Sequence, residues 1–212
     1  MMISLTTNYP FKNSFVYKIE AYKDFTFEIR IPTIAKNLTV NGEKIEQKGN
    51  LTIELKKDER KTVEVSYDFN VQIMQRPHNL KSIKCGSLIF ALPILCEKVM
   101  HEYERNGVER KFPYCDYEYL PKSDWNYAFC AKDFTIERNE VGDIPFSSEN
   151  PPVKIKTKML KINWEYEDGY DSVCAKYPKN LKPIDKTPQE KELYPYGCAK
   201  LRMTEMPFIK RY

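Results

Sequence analysis

Phe25-Thr26-Phe27-Glu28-Ile29-Arg30-Ile31 alternates apolar and polar residues without a break. Successive side chains of a β-strand point to opposite faces, so a period of two describes a strand with one face buried and one face wet. The rhythm recurs downstream. Leu51, Ile53 and Leu55 alternate with Thr52 and Glu54; Val63, Val65 and Tyr67 follow; Val71 and Ile73 resume it after Phe69. Between two of these runs lies Val40-Asn41-Gly42-Glu43. Asn-Gly tolerates the positive φ angles that a type I′ turn demands, which predicts a hairpin there. Strands spaced roughly eight to twelve residues apart point to sandwich architecture rather than to strands alternating with crossover helices.

Outward from this block the pattern changes. Residues 87–91, Ser-Leu-Ile-Phe-Ala, form a continuous apolar run, as expected of a central strand covered on both faces, and Pro93 ends it. Residues 101–125 hold many charges and aromatics but little clean periodicity. Residues 142–152, with three prolines, read as a surface loop. Residues 153–164 alternate again, with Val153, Ile155 and Thr157 on one side and Lys154, Lys156 and Lys158 on the other. A Pro/Lys-rich connector over 177–190 precedes a segment at 193–208 that recovers strand-like character. No internal repeat and no long amphipathic helix is visible.

Composition excludes several classes of function. At 212 residues with 42% hydrophobic content, the chain can bury a core without disulfides or metals. Its 34 basic and 30 acidic residues leave a net charge of +4, spread along the sequence. Phosphate tracking needs a concentrated basic patch, so no nucleic-acid partner is expected. The longest apolar stretch, 88–96, is too short to span a bilayer, so no membrane partner is expected either. The start shows no secretory signal, and the six cysteines are scattered; free thiols and a cytoplasmic location follow as expectations.

Chemistry-bearing patterns are sparse. The two histidines, His78 and His101, stand in settings that read as surface. No pair of cysteines has zinc-ligand spacing, and the seven glycines form no phosphate-binding loop, so neither a metal nor a cofactor is expected. Asp116, Glu118, Glu165, Glu167 and Asp168 have the residue type that glycoside hydrolysis uses. A solvated strand face explains them equally well and is the favoured reading. Trp125-Asn126-Tyr127 and Trp164-Glu165-Tyr166 are more suggestive, because sugar rings stack on exposed aromatic faces. Trp125, Tyr127 and Trp164 are therefore the candidate carbohydrate-binding residues, with core packing as the competing reading.

Five segments, in order along nearly the whole chain, resemble the C-terminal, non-barrel part of glycoside hydrolase family 127, the β-L-arabinofuranosidase-like enzymes. They are Thr7-Asn8-Tyr9-Pro10-Phe11; Phe27-Glu28-Ile29-Arg30-Ile31-Pro32 followed by Val40-Asn41-Gly42-Glu43; Cys85-Gly86-Ser87-Leu88-Ile89-Phe90-Ala91-Leu92; Asp116-Tyr117-Glu118-Tyr119-Leu120-Pro121 leading to Trp125-Asn126-Tyr127-Ala128; and Leu193-Tyr194-Pro195-Tyr196-Gly197-Cys198-Ala199-Lys200-Leu201-Arg202-Met203-Thr204-Glu205. One departure is Cys85-Gly86-Ser87, where Arg-Gly-Pro is usual in the family.

The resemblance implies an all-β fold of two antiparallel β-sandwich modules, the second inserted into the first. Residues 1–92 plus 193–212 would form the first and 93–192 the insertion, so that the closing segment, 193–208, would pair with elements more than a hundred residues earlier. It also implies that the catalytic glutamates and zinc-binding cysteines belong to an (α/α)₆ barrel outside these residues, so no catalytic or metal residue carries over. The implied role is structural, docking towards a separate barrel chain or self-associating where none is present. An autonomous carbohydrate-binding module is the alternative.

Overall fold

The computed structural model describes residues 1–46, 49–170 and 173–209. The last three residues of the tail assigned to the first module, 210–212, lie outside the described ones. Strands and bridges account for 53% of the described residues, which contain no α-helix. The sheets are antiparallel, one of them curled into a half-barrel. No helix among the described residues is long and apolar enough to cross a membrane.

Contacts group the chain into two compact units: Met1–Gln72 with Lys84–Leu88, and Ile73–Ile83 with Ile89–Tyr212. In the first, β1 (Met2–Thr7), β2 (Ser14–Glu20), β3 (Phe25–Ile31), β4 (Lys36–Val40), β5 (Glu43–Lys44), β6 (Gly49–Leu55) and β7 (Arg60–Asp68) follow one another. Five of them form a sheet in the order β1-β2-β7-β4-β5, while β3 and β6 pair with each other, Phe25 opposite Leu55 through Ile31 opposite Gly49. The alternation read from sequence is the burial pattern: Ile29, Ile31, Leu51, Ile53, Leu55, Val63, Val65 and Tyr67 are buried, and the polar residues between them are mostly exposed. Each such side chain contributes about 1.5–3 kcal/mol when fully buried. Tyr17 on β2 and Phe27 on β3 bring the two sheets into ring contact at 5.5 Å.

The predicted hairpin is present. Asn41 and Gly42 have φ of 51° and 81°, and Val40 pairs with Glu43. Asn41 also ties the turn to β7, its N–H donating to the Glu64 carbonyl and its Oδ1 accepting from the Glu64 N–H, both at 2.8 Å.

The chain continues through β8 (Val71–Gln75), β9 (Lys81–Cys85), β10 (Leu88–Pro93), β11 (Cys96–His101), β12 (Tyr103–Arg105), β13 (Val108–Arg110), β14 (Asp116–Pro121), β15 (Tyr127–Phe129), β16 (Thr135–Arg138), β17 (Val153–Lys161), β18 (Gln189–Pro195) and β19 (Arg202–Met203). The large sheet runs β15-β17-β18-β10-β9-β8, with β16 added to β17 and β19 to β10. In β17, Val153, Ile155, Thr157 and Met159 are buried. The lysines between them face the other way, where Lys154 meets Glu192 at 3.0 Å and Lys156 meets Glu137 at 2.7 Å. The closing segment returns as predicted. Ala91 pairs with Tyr194, Phe90 with Pro195 and Leu92 with Met203, each over a hundred residues apart in sequence.

The stretch without clean periodicity, 101–125, nevertheless holds strands: β11 and β14 form a ribbon from Cys96 opposite Pro121 to His101 opposite Asp116, and β12 and β13 close a hairpin over Asn106-Gly107. Both turn residues have positive φ, 56° and 73°. Nearly every side chain in these strands is exposed or half-buried. A ribbon solvated on both faces needs no apolar alternation, so period-two reasoning had nothing to detect.

Candidate functional site

An open cleft of about 980 Å³ lies within the second unit, where the end of β10, the segment after β14, Tyr166 and the start of β18 meet. Its rim is tied together by backbone and side-chain bonds. Lys122 N–H donates to the Leu95 carbonyl at 2.6 Å, and Leu95 N–H donates to Ser123 Oγ at 2.9 Å. Asp124 is held by Lys161 at 2.8 Å, and Asn126 donates through Nδ2 to the Ile162 carbonyl at 2.8 Å. Trp125, between these two anchors, is thereby fixed against the cleft.

The structure separates the three aromatic residues singled out by sequence. Trp164 is 4% exposed, and its indole N–H donates to the Ala175 carbonyl at 2.8 Å. Tyr127 is 3% exposed, and its phenol donates to Gln189 Oε1 at 3.3 Å. Rings so covered pack; they offer no open face. Trp125 is half-buried and rests edge-on against Trp164, centroids 5.8 Å apart at 63°. Exposed Tyr166 also meets Trp125, 5.4 Å away and tilted by 37°. The ring surface on the cleft therefore comes from Trp125 and Tyr166, backed by buried Trp164.

Polar groups line the same space. Lys191 places its ammonium 4.3 Å from the Tyr127 ring centroid, a cation–π contact. Gln189 donates through Nε2 to Asp185 at 2.6 Å, which leaves its Oε1 for Tyr127. Glu192 accepts from Lys154 at 3.0 Å and from the Tyr194 hydroxyl at 3.2 Å. The hydrogen bond to Glu192 holds the Lys154 pKa up, and the bond to Asp124 does the same for Lys161. Gln189 and Lys191 carried no sequence signal, since they stand at the end of a segment that reads as connector.

The carboxylates nominated by residue type do not form a paired acid site. Glu118 meets His101 Nε2 at 3.2 Å on the exposed β11–β14 ribbon, and Asp168 lies 3.9 Å from Lys179 in open solvent. Glu165 accepts from Asn163 at 3.4 Å and is exposed, as is Glu167. His78 stacks on Tyr177 at 4.4 Å. Cys96, Cys115, Cys174 and Cys198 are free thiols, and burial pushes the Cys198 thiol up to about 11. Among the described residues no three His, Cys, Asp or Glu side chains converge as a metal site.

No protein-family model and no curated protein matches the sequence. Solved structures do match in fold. One, described as a glycoside hydrolase, aligns over 97% of this chain and 32% of its own, with TM-score 0.57 and 17% identity. Another, a glycoside hydrolase family 127 β-L-arabinofuranosidase from Geobacillus stearothermophilus T6, aligns over 99% of this chain and 30% of its own, with TM-score 0.52 and 17% identity. The chain thus spans about a third of the length of the structures it matches, and its fold resembles a β-rich, non-barrel portion of family 127 glycoside hydrolases.

Proposed function

We propose that these residues are a non-catalytic β portion of a family-127-like glycosidase, with a structural role in docking onto a helical barrel carried in the same or a separate polypeptide. The observation that carries this reading is the lopsided coverage: 97–99% of this chain aligns with only 30–32% of each relative. The exposure of all five candidate carboxylates supports it. A glycosidase acid needs a shielded setting that raises its pKa, and an open ribbon or strand end supplies none. The inserted arrangement, 1–92 plus 193–212 around 93–192, belongs to the same proposal; Tyr194, Pro195 and Met203 pair with first-module residues of β10, while Leu193 pairs with Ile155 and Arg202 with Pro93 of the insertion.

The 212-residue chain should hydrolyse aryl arabinofuranosides and other aryl glycosides no faster than a blank. Turnover abolished by Glu118→Gln would overturn this. A family-127-type barrel chain, identified and reconstituted from purified components, should bind the chain, and failure of such a barrel to bind would remove the docking half.

A second reading is favoured by the cleft. Trp125 and Tyr166 offer adjoining rings beside hydrogen-bonding side chains, the composition of a saccharide site. Under this reading the module also holds carbohydrate, and Trp125→Ala should abolish binding measured by calorimetry.

A further inference from the structure

We infer that the cleft selects acidic saccharides, with a uronate carboxylate set against Lys191 while the sugar ring lies on Trp125. The inference rests on the carbohydrate reading of the cleft and adds the ligand's charge. Three of the four charged residues lining the cleft are already neutralised: Lys122 by Glu97 at 2.6 Å, Asp124 by Lys161 at 2.8 Å, and Glu192 by Lys154 at 3.0 Å. Lys191 is the fourth. Among the described residues no carboxylate lies within ion-pair distance of it, and its ammonium sits over the buried Tyr127 ring. The cleft therefore carries one uncompensated positive charge. A cation held over an aromatic face keeps its remaining N–H donors available, and a carboxylate is the acceptor that satisfies both charge and hydrogen bonding.

Aromatic rings beside a lone ammonium recognise two features at once. The C–H face of a pyranose stacks on an indole, and a carboxylate at the ring's edge reaches a cation beside it. A neutral sugar would use the first and leave Lys191 unmatched. A free carboxylic acid without a ring would use only the second.

The test is calorimetric titration of the full chain with oligomers of galacturonate, glucuronate and mannuronate, set against their carboxyl-reduced counterparts. At least one acidic series should bind ten-fold or more tightly than its reduced partner, and added salt should erode the difference. Lys191→Gln should abolish that preference. Lys158→Gln, on the opposite face of the same sheet, should leave it intact and so controls for general surface charge. Equal binding of acidic and reduced oligomers, lost in Trp125→Ala, would overturn the inference while sparing the carbohydrate reading. Equal effects of Lys191→Gln and Lys158→Gln would also overturn it. Binding of neither series would remove both.

Discussion

Gly86 shows how a single atom constrains this chain. Its φ of +59° is one that side-chain-bearing residues rarely adopt, and a Cβ added there would lie 2.7 Å from Cε2 of Phe69 and nearer still to Cδ2. Gly42 has a φ of +81° but nothing within 4 Å. Gly86→Ala should therefore cost about 3 kcal/mol or more, combining backbone strain with an overpacked ring, and Gly42→Ala only about 1 kcal/mol. Urea denaturation of both variants checks this, and equal losses would show that Phe69 gives way freely. Tyr67 supplies a pH dependence. Burial between Phe15 and Phe69 pushes its phenol up to about 12, above the ordinary value near 10. The fold thus favours the protonated form: its contribution is whole below about pH 10 and is lost as pH rises through about 12. Tyr67→Phe should flatten the fall in stability across that window by on the order of 2 kcal/mol. Parallel wild-type and variant curves would refute it.

At the scale of elements, the returning tail and the outer edge of the first sheet matter most. Truncation after Glu192 removes the partners of Phe90, Ala91, Leu92 and Pro93 on β10 and of Ile155 on β17. Hydrogen exchange should show both Leu88–Pro93 and Val153–Lys161 losing protection, with a stability loss of several kcal/mol. If 1–92 keeps full protection, the inserted topology is wrong. If 1–92 loosens through Arg60–Asp68 while Val153–Lys161 stays protected, the inserted topology gains support and the ladder on β17 is the weaker one. The edge strand β1 has no charged residue, and Met2, Ile3 and Leu5 are exposed. Edge strands ordinarily carry charge or proline against pairing with another chain. Without a barrel, the protein should self-associate through this edge, giving a dimer in sedimentation that Ile3→Lys with Leu5→Lys returns to monomer. A clean wild-type monomer at high concentration would count against it.

For the molecule as a whole, legibility followed burial. The alternation at 25–31, 51–55, 63–67 and 153–159 determined strands and their inward faces, because a strand wet on one side writes its orientation into every second residue. The Asn41-Gly42 turn was equally plain, since few residues accept positive φ. The ribbon at 96–121 left no such imprint, being solvated on both sides. The candidate site divided along the same line. Sequence marked Trp125, Tyr127 and Trp164 as large aromatics but could not assign each to core or surface, because ring size suits both. Only the tertiary structure decided that Tyr127 and Trp164 are buried while Trp125 meets Tyr166 at the cleft. Only it brought Lys191 onto the Tyr127 ring, from a strand sixty-odd residues further along. The sequence by itself determined the all-β class and most of the strand faces, which depend on local alternation. Strand order, the return of the tail to β10 and the composition of the cleft depend on which distant strands pair, and pairing is chosen by the whole core rather than by any one segment.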